Sequence, residues 1–114
     1  MSGFEIAQLE KNQIVTLHLK GFLDAHTAPD LEAELQKCIQ NKQYKVIVNF
    51  HELGYISSAG LGVFMGFIEE IRKNGGDIKL TNMSSKIYRV FDLLGFPALY
   101  EIFNTEEEAV QKFT

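Results

Sequence analysis

The sequence is poor in cysteine: Cys38 is its only one, which excludes an internal disulfide. This usage fits a reducing compartment. The opening residues MSGFEIAQLEKNQ lack a basic segment followed by an apolar one, so they do not resemble a secretory leader. No apolar run approaches the roughly 18 residues that a membrane helix needs. We therefore predict a cytoplasmic protein with no membrane partner.

The sequence also lacks an excess of basic residues. It has 11 Lys and Arg against 15 Asp and Glu, which gives a formal net charge of −4. A nucleic-acid-binding surface is usually basic, so no nucleic-acid partner is predicted. The 114 residues are 46% hydrophobic and 23% charged, which is ordinary for a globular protein. This length and composition predict one folded domain over residues 1–114.

Short apolar runs alternate with amphipathic segments along the chain. Alternation of apolar and polar residues predicts a hairpin of two strands, FEIAQLE and IVTLHLK, joined at KNQ. Further strands are predicted in YKVIVNF, DIKLTN and ALYEIF, the first of them covered on both faces. Helices are predicted from Thr27, from Ser57 or Ser58, in SSKIYRVFDLLG and in TEEEAVQKF. The order ββαβαβαβα predicts an α/β fold with a mixed, mostly parallel sheet and about four helices.

Two adjacent serines stand where the central strand gives way to a helix. A catalytic serine at such a turn usually lies in the pattern G-x-S-x-G, but Ile56 occupies the first glycine position before Ser58. None of the three histidines, His18, His26 and His51, is followed by an obvious carboxylate to orient it as a base. A small serine hydrolase is therefore a minor alternative, and we predict that the protein is not an enzyme.

The glycines near the serines do not complete a nucleotide-binding motif. Counting from Gly54, Ala59 takes the place of the second glycine of a phosphate loop, and no lysine follows Gly60. Gly60 and Gly62 could begin G-x-G-x-x-G, but Met65 stands where the third glycine is required. Three scattered histidines and one cysteine do not form a metal-ligand cluster either. No cofactor, metal or small-molecule substrate is predicted, and a nucleotide-binding module has little support.

The two serines suit a modification site better than a catalyst. One of them can cap the helix, which serine does well, and the other then lies on the first turn beside Ala59 and Gly60. Small neighbours leave that hydroxyl accessible. A helix N-terminus also accommodates negative charge, so a phosphate could be held there.

Two separated motifs carry a resemblance to a known family. GFLDAHTAPDLEAEL and VIVNFHELGYISSAGLGVFMGF resemble the STAS domains of bacterial anti-sigma factor antagonists, which typically show G-x-L-D-x-x-T-A and a D-S-S-G-L-G-like turn. GGDIKLTNMSSKIYRVFDLLGFPALYEIFNTEEEAV resembles the C-terminal half of these domains. The resemblance covers nearly the whole chain, and the two motifs have the separation that is typical of the family.

The resemblance implies a partner-switching protein without enzymatic activity. In such systems the unphosphorylated antagonist binds a serine-kinase anti-sigma factor, which then releases its sigma factor. The kinase phosphorylates the antagonist and so ends the complex, and a serine phosphatase resets the switch. An alternative with the same fold is an interaction module for another partner, such as a phosphatase, a chemosensory complex or a transporter.

The family motifs also imply the site residues. The phosphoacceptor falls on Ser58, although Ser57 stands where the family often has aspartate and Ala59 stands where it has a second serine, so that Ser57 remains an alternative acceptor. The implied partner surface comprises the Asp24 loop and the first turn of the second helix: Asp24, His26, Thr27, Ser57, Ala59, Gly60, Leu61 and Gly62.

Overall fold

A computed structural model describes residues 3–114 and gives the predicted order of elements. The strands are β1 Glu5–Lys11, β2 Ile14–Leu23, β3 Lys45–Ile56, β4 Asp77–Thr81 and β5 Ile102–Phe103. The helices are α1 Ala28–Gln40, α2 Ser58–Lys73, α3 Ser85–Leu93 and α4 Glu106–Phe113, with a short 3₁₀ helix at Phe96–Ala98. Across residues 3–114, no helix combines the length and the apolar character needed to cross a bilayer.

The five strands form one sheet in the order β1-β2-β3-β4-β5. β1 runs antiparallel to β2, and the other three pairs are parallel. The β1–β2 turn consists of Asn12 and Gln13, whose φ angles of 54° and 69° are those of a tight two-residue hairpin. The prediction of a mixed, mostly parallel sheet is confirmed.

Helices cover the two faces of the sheet unequally. Leu31 of α1, Phe64 of α2 and Phe91 of α3 share one apolar cluster with Val48 of β3. Ile47, the neighbour of Val48 on β3, joins a second cluster that contains Ala109 of α4 and Ile14. Adjacent side chains of a strand point to opposite faces, so three helices cover one face and α4 alone covers part of the other. Ile47 and Val48 are both fully buried, as predicted for a strand covered on both faces.

The last helix is attached to the sheet by polar contacts at its start. The helix predicted in TEEEAVQKF begins with a capping box: the Glu108 backbone N–H donates to the Thr105 hydroxyl, and the Glu108 carboxylate accepts from the Thr105 backbone N–H. The Glu106 carboxylate lies 2.6 Å from His18 Nε2 and also accepts from Asn49 Nδ2. These contacts connect the first turn of α4 to β2 and β3.

Two element boundaries differ from the sequence prediction. β3 continues to Ile56 through the segment predicted as a loop, because β2 also continues and pairs with it up to Leu23–Ile56 through two register shifts. The last strand is shorter than ALYEIF: Phe96–Ala98 forms a 3₁₀ helix after Gly95, whose φ is 76°, and the strand begins only at Ile102.

Candidate functional site

The ends of β2 and β3 bring the two motif loops together. Leu23 pairs with Ile56 at the carboxyl ends of these parallel strands. The Ser57 backbone N–H donates to the Leu23 carbonyl oxygen at 2.9 Å. Asp24 follows Leu23 directly, so its loop adjoins the turn that carries Ser57 and Ser58. We call this turn, residues 57–62, the serine turn.

Ser57 is the residue that caps α2. Its backbone is extended, with φ −104° and ψ 172°, and its hydroxyl oxygen accepts a long hydrogen bond of 3.5 Å from the Gly60 N–H. Its carbonyl oxygen accepts from the Leu61 N–H at 3.1 Å, the first bond of the helix. Of the two serines that the sequence offered as caps, Ser57 therefore takes this role.

Ser58 is the first residue of α2, and it is exposed. Its hydroxyl forms no hydrogen bond to any part of the chain between residues 3 and 114. The first turn of α2 contains no acidic side chain. The positive end of the helix dipole is therefore not balanced by a carboxylate of its own helix, which favours binding of an anion there.

Close packing explains the small residue in the middle of the serine turn. A Cβ on Gly60 would lie 2.7 Å from Leu23 Cγ, 3.1 Å from the Leu23 carbonyl oxygen and 3.2 Å from Ile56 Cγ1. Gly60 thus allows α2 to begin directly against the end of β2. Gly62 has no comparable restriction, since a Cβ there would meet nothing within 4 Å.

The Asp24 loop is held by its own hydrogen bonds. Asp24 Oδ1 accepts from the backbone N–H of His26 at 2.9 Å and of Thr27 at 3.2 Å. The Thr27 hydroxyl donates to the Phe22 carbonyl oxygen at 2.9 Å and accepts from the Asp24 N–H at 2.9 Å. Thr27 precedes α1 as predicted, but its side chain bonds backward to the loop and not to the helix. One carboxylate oxygen of Asp24 is therefore already used within the loop.

The predicted partner-binding residues fall into two groups by exposure. Six are exposed or half-buried: Asp24, His26, Ser57, Ala59 and Gly62, together with the predicted acceptor Ser58. Three are buried: Thr27, Gly60 and Leu61. The buried residues shape the two loops from inside, whereas the side chains of the first group are accessible from outside the chain. The binding role of these residues stays a prediction.

An exposed aromatic pair beside the two loops was missed by the sequence analysis. Phe22 and Tyr55 are 59% and 46% exposed, and their rings meet edge to face with centroids 6.1 Å apart. They lie on the extensions of β2 and β3, immediately before Leu23 and Ile56. The sequence prediction treated residues 51–56 as a loop. The pairing of Tyr55 with Phe22 on neighbouring strands was therefore not predicted.

The site offers no metal-ligand set. Over the described part of the chain, no group of three or more His, Cys, Asp or Glu side chains is placed to hold a metal ion. His18 Nε2 is already in contact with the carboxylate of Glu106 on α4.

Comparisons with known proteins agree with the motif reading. The model of the STAS domain family matches residues 5–109. The anti-sigma-B factor antagonist of Staphylococcus epidermidis is 33% identical over 100 residues, which cover 88% of this chain and 93% of that protein.

Solved structures give the same relationship. The anti-sigma factor antagonist SpoIIAA in its unphosphorylated form is 27% identical with a TM-score of 0.73, and the match covers 96% of each chain. The Bacillus cell fate determinant SpoIIAA in its phosphorylated form gives the same identity and TM-score and covers 97% of this chain and 99% of that one.

Proposed function

Because the chain belongs to the STAS-domain family of anti-sigma factor antagonists, we propose that it is the antagonist of a partner-switching pathway. In its unphosphorylated form it binds a serine-kinase anti-sigma factor through the serine turn and the Asp24 loop. The bound anti-sigma factor releases its sigma factor. The chain acts as a binding partner and a phosphorylation substrate, with no active site and no cofactor of its own.

Phosphorylation of Ser58 ends the complex in this proposal. The kinase transfers the γ-phosphoryl group of ATP to Ser58 Oγ and leaves ADP, and the hydroxyl proton is lost. A serine phosphatase later hydrolyses the phosphoester and restores the alcohol. The cycle takes place in the cytoplasm and involves neither nucleic acid nor membrane contact by this chain.

The observation that carries the proposal is the division of roles between the two serines. Ser57 caps the helix, whereas the Ser58 hydroxyl is exposed and has no partner within residues 3–114. A kinase can therefore reach Ser58 without removing a contact that holds the fold. The family resemblance supports the same residue as acceptor.

Electrostatics explains how one phosphate could dissociate a partner. A phosphate adds about −1.5 to −2 charges at neutral pH, on a chain whose net charge is −4. A partner surface fitted to a neutral hydroxyl would have to desolvate this dianion beside Asp24. Leaving a charge buried and unpaired at an interface costs about 2–5 kcal/mol, which corresponds to a loss of affinity of about 30- to 3,000-fold.

The test uses purified protein, ATP and a serine-kinase anti-sigma factor from the same genome. We expect Ser58→Ala to bind the unliganded kinase like the wild type and to gain no phosphate by mass spectrometry. Ser58→Asp should bind at least about tenfold more weakly by calorimetry, because it carries part of the charge of a phosphate. Ser57→Ala is the matched control: it should still be phosphorylated, although it loses about 1 kcal/mol of stability with its cap.

Two results would contradict the proposal. Phosphate on the Ser58→Ala protein but not on Ser57→Ala would move the acceptor to Ser57. Equal kinase affinity for the phosphorylated and unphosphorylated wild-type protein would refute the switch itself.

A further inference from the structure

β1 is a long sheet edge whose outer side is not paired within the described residues. The hairpin turn has two residues, so Lys11 and Ile14 form a hydrogen-bonded pair across β1 and β2. Inward and outward backbone groups alternate along a strand, and those of Ile6, Gln8 and Glu10 therefore point away from β2. Their N–H and C=O groups are available to another strand.

The opposite edge of the sheet does not offer a comparable strand. β5 has only two residues, and it is followed closely by α4. β1 has seven residues, and six of them are exposed, Ile6 being the half-buried exception. A partner that adds a strand to this sheet would therefore add it at β1.

An apolar side chain and a groove lie along this edge, on the face covered by α4. Leu9 is 59% exposed, and it borders a groove of about 210 Å³ together with Ile14 and Val110. A large apolar side chain in the middle of an unpaired edge strand favours burial against a partner.

We propose that β1 pairs antiparallel with β1 of a second copy of this chain, about a twofold axis at Gln8. Ile6 and Glu10 of the two copies, and Gln8 with itself, then form the hydrogen-bonded pairs. Glu5 of each copy lies opposite Lys11 of the other. The result is a continuous ten-stranded sheet. This proposal does not depend on the proposed function.

The charges of the strand select this register. The axis at Gln8 pairs all seven residues from Glu5 to Lys11. The only charged side chains that lie directly opposite each other are Glu5 and Lys11, and the symmetry forms this pair twice. These are non-hydrogen-bonded pairs, in which the Cα atoms approach to about 4.5 Å and side chains interact more closely. A shift of two residues in either direction removes both ion pairs and shortens the ladder.

The same register buries the exposed apolar side chain. Leu9 comes opposite Ala7 of the other copy, and the two Leu9 side chains are diagonal neighbours on the face that α4 covers. The interface is isologous, since each copy contributes the same strand. The serine turn lies at the Leu23 end of β2, so the two turns of the dimer are at opposite ends of the sheet and both stay exposed.

Sedimentation equilibrium and amide hydrogen exchange of the full chain test the proposal. We expect a dimer whose population rises with concentration. The amide N–H groups of Ile6, Gln8 and Glu10 should become protected as it forms. Those of Ala7 and Leu9 already bond to β2 and serve as internal controls.

A charge exchange tests the register. Lys11→Glu places Glu5 opposite another glutamate twice and should weaken the dimer about tenfold or more. Lys86→Glu on α3 changes the net charge by the same amount as Lys11→Glu. It lies on a helix away from β1 and should leave the dimer intact. Glu5→Lys should also weaken the homodimer, but a mixture of Glu5→Lys and Lys11→Glu proteins should form a heterodimer with two ion pairs, one of them reversed.

The proposal is overturned by a wild-type protein that stays monomeric at the highest soluble concentration. It is also overturned if Lys11→Glu and Lys86→Glu have the same effect, or if the mixture fails to associate while both variants retain the circular dichroism of the wild type. If β1 instead pairs with a strand of a different protein, the purified chain would be monomeric, which would contradict the proposed homodimer.

Discussion

At the scale of single residues, the glycines of α2 differ in what they do. Gly60 is buried where the helix begins against Leu23, whereas Gly62 and Gly66 face open space. A glycine inside a helix is less favourable than alanine by about 1 kcal/mol. Close packing accounts for Gly60, and nothing inside the fold requires the other two.

We expect opposite effects from the same substitution at two of these glycines. Gly60→Ala should lower the free energy of unfolding by about 1–3 kcal/mol, because the new methyl group overlaps Leu23 and Ile56. Gly62→Ala should raise it by about 0.5–1 kcal/mol, since it gains helix propensity without a clash. Urea unfolding of both variants measures the difference. Equal effects would show that α2 does not begin as closely against β2 as described.

The position of the serine turn is predictable from the sequence, but the division of roles between its two serines is not. Ser57 and Ser58 are equally good caps by residue type. Their roles are separated by the backbone, which is extended at Ser57 because its N–H bonds to Leu23. That bond joins residues far apart in sequence, so no local pattern reveals it.

At the scale of elements, the existence and order of the helices were the most predictable features. The capping box at Thr105 and Glu108 lies within one helical turn and follows from local chemistry. The end of β3 does not follow from local chemistry. The polar residues His51 and Glu52 interrupt the apolar run, and the strand persists only because β2 continues beside it. The register shifts that allow this pairing are a tertiary property.

The attachment of α4 provides a prediction at this scale. Glu106→Ala removes the carboxylate shared by His18 and Asn49 and leaves the Asn49 amide, which is 8% exposed, without that partner. We expect a loss of about 1–3 kcal/mol in the free energy of unfolding. Hydrogen exchange should accelerate in α4 more than in α1.

Glu107→Ala is the matched control, because Glu107 is exposed and lies in the same first turn of α4. It changes the helix charge in the same way but removes no described contact with the sheet. If both variants unfold alike, the contacts of Glu106 with β2 and β3 contribute nothing to stability.

At the scale of the whole molecule, the alternation of strand and helix was enough to predict the fold class. The distribution of the helices over the two faces of the sheet was not predictable in this way. Leu31, Phe64 and Phe91 each mark an apolar helix face, but the sequence does not say that all three face the same side. That arrangement depends on the direction in which each connection crosses the sheet.

The stability of the whole chain should depend on alkaline pH. Burial raises the pKa of the Cys38 thiol from 9.0 to about 11. Burial likewise raises the pKa of the Tyr100 hydroxyl from 10.0 to about 12, against the opposing effect of Arg72. Above pH 9 the unfolded chain releases protons that the folded chain still holds. The stability that depends on these two groups is therefore fully present below pH 9, and it is lost as the pH rises toward 12.

Urea unfolding at several alkaline pH values measures this loss. Between about pH 8 and pH 10 we expect wild-type stability to fall by about 2 kcal/mol, mostly from Cys38. Cys38→Ala should be less stable at every pH but should show a smaller decline over this range. A decline of equal slope in both proteins would assign the effect to other groups.

The exposed residues of the serine turn and the Asp24 loop, such as His26, Ser58, Ala59 and Gly62, belong to neither apolar cluster. The interior therefore imposes little selection on their identity. Gene duplicates of this scaffold are free to diverge at His26, Ala59 and Gly62 while they keep the same architecture. Under the proposed function, such divergence would allow several of these proteins to bind different partners in one cell without crosstalk.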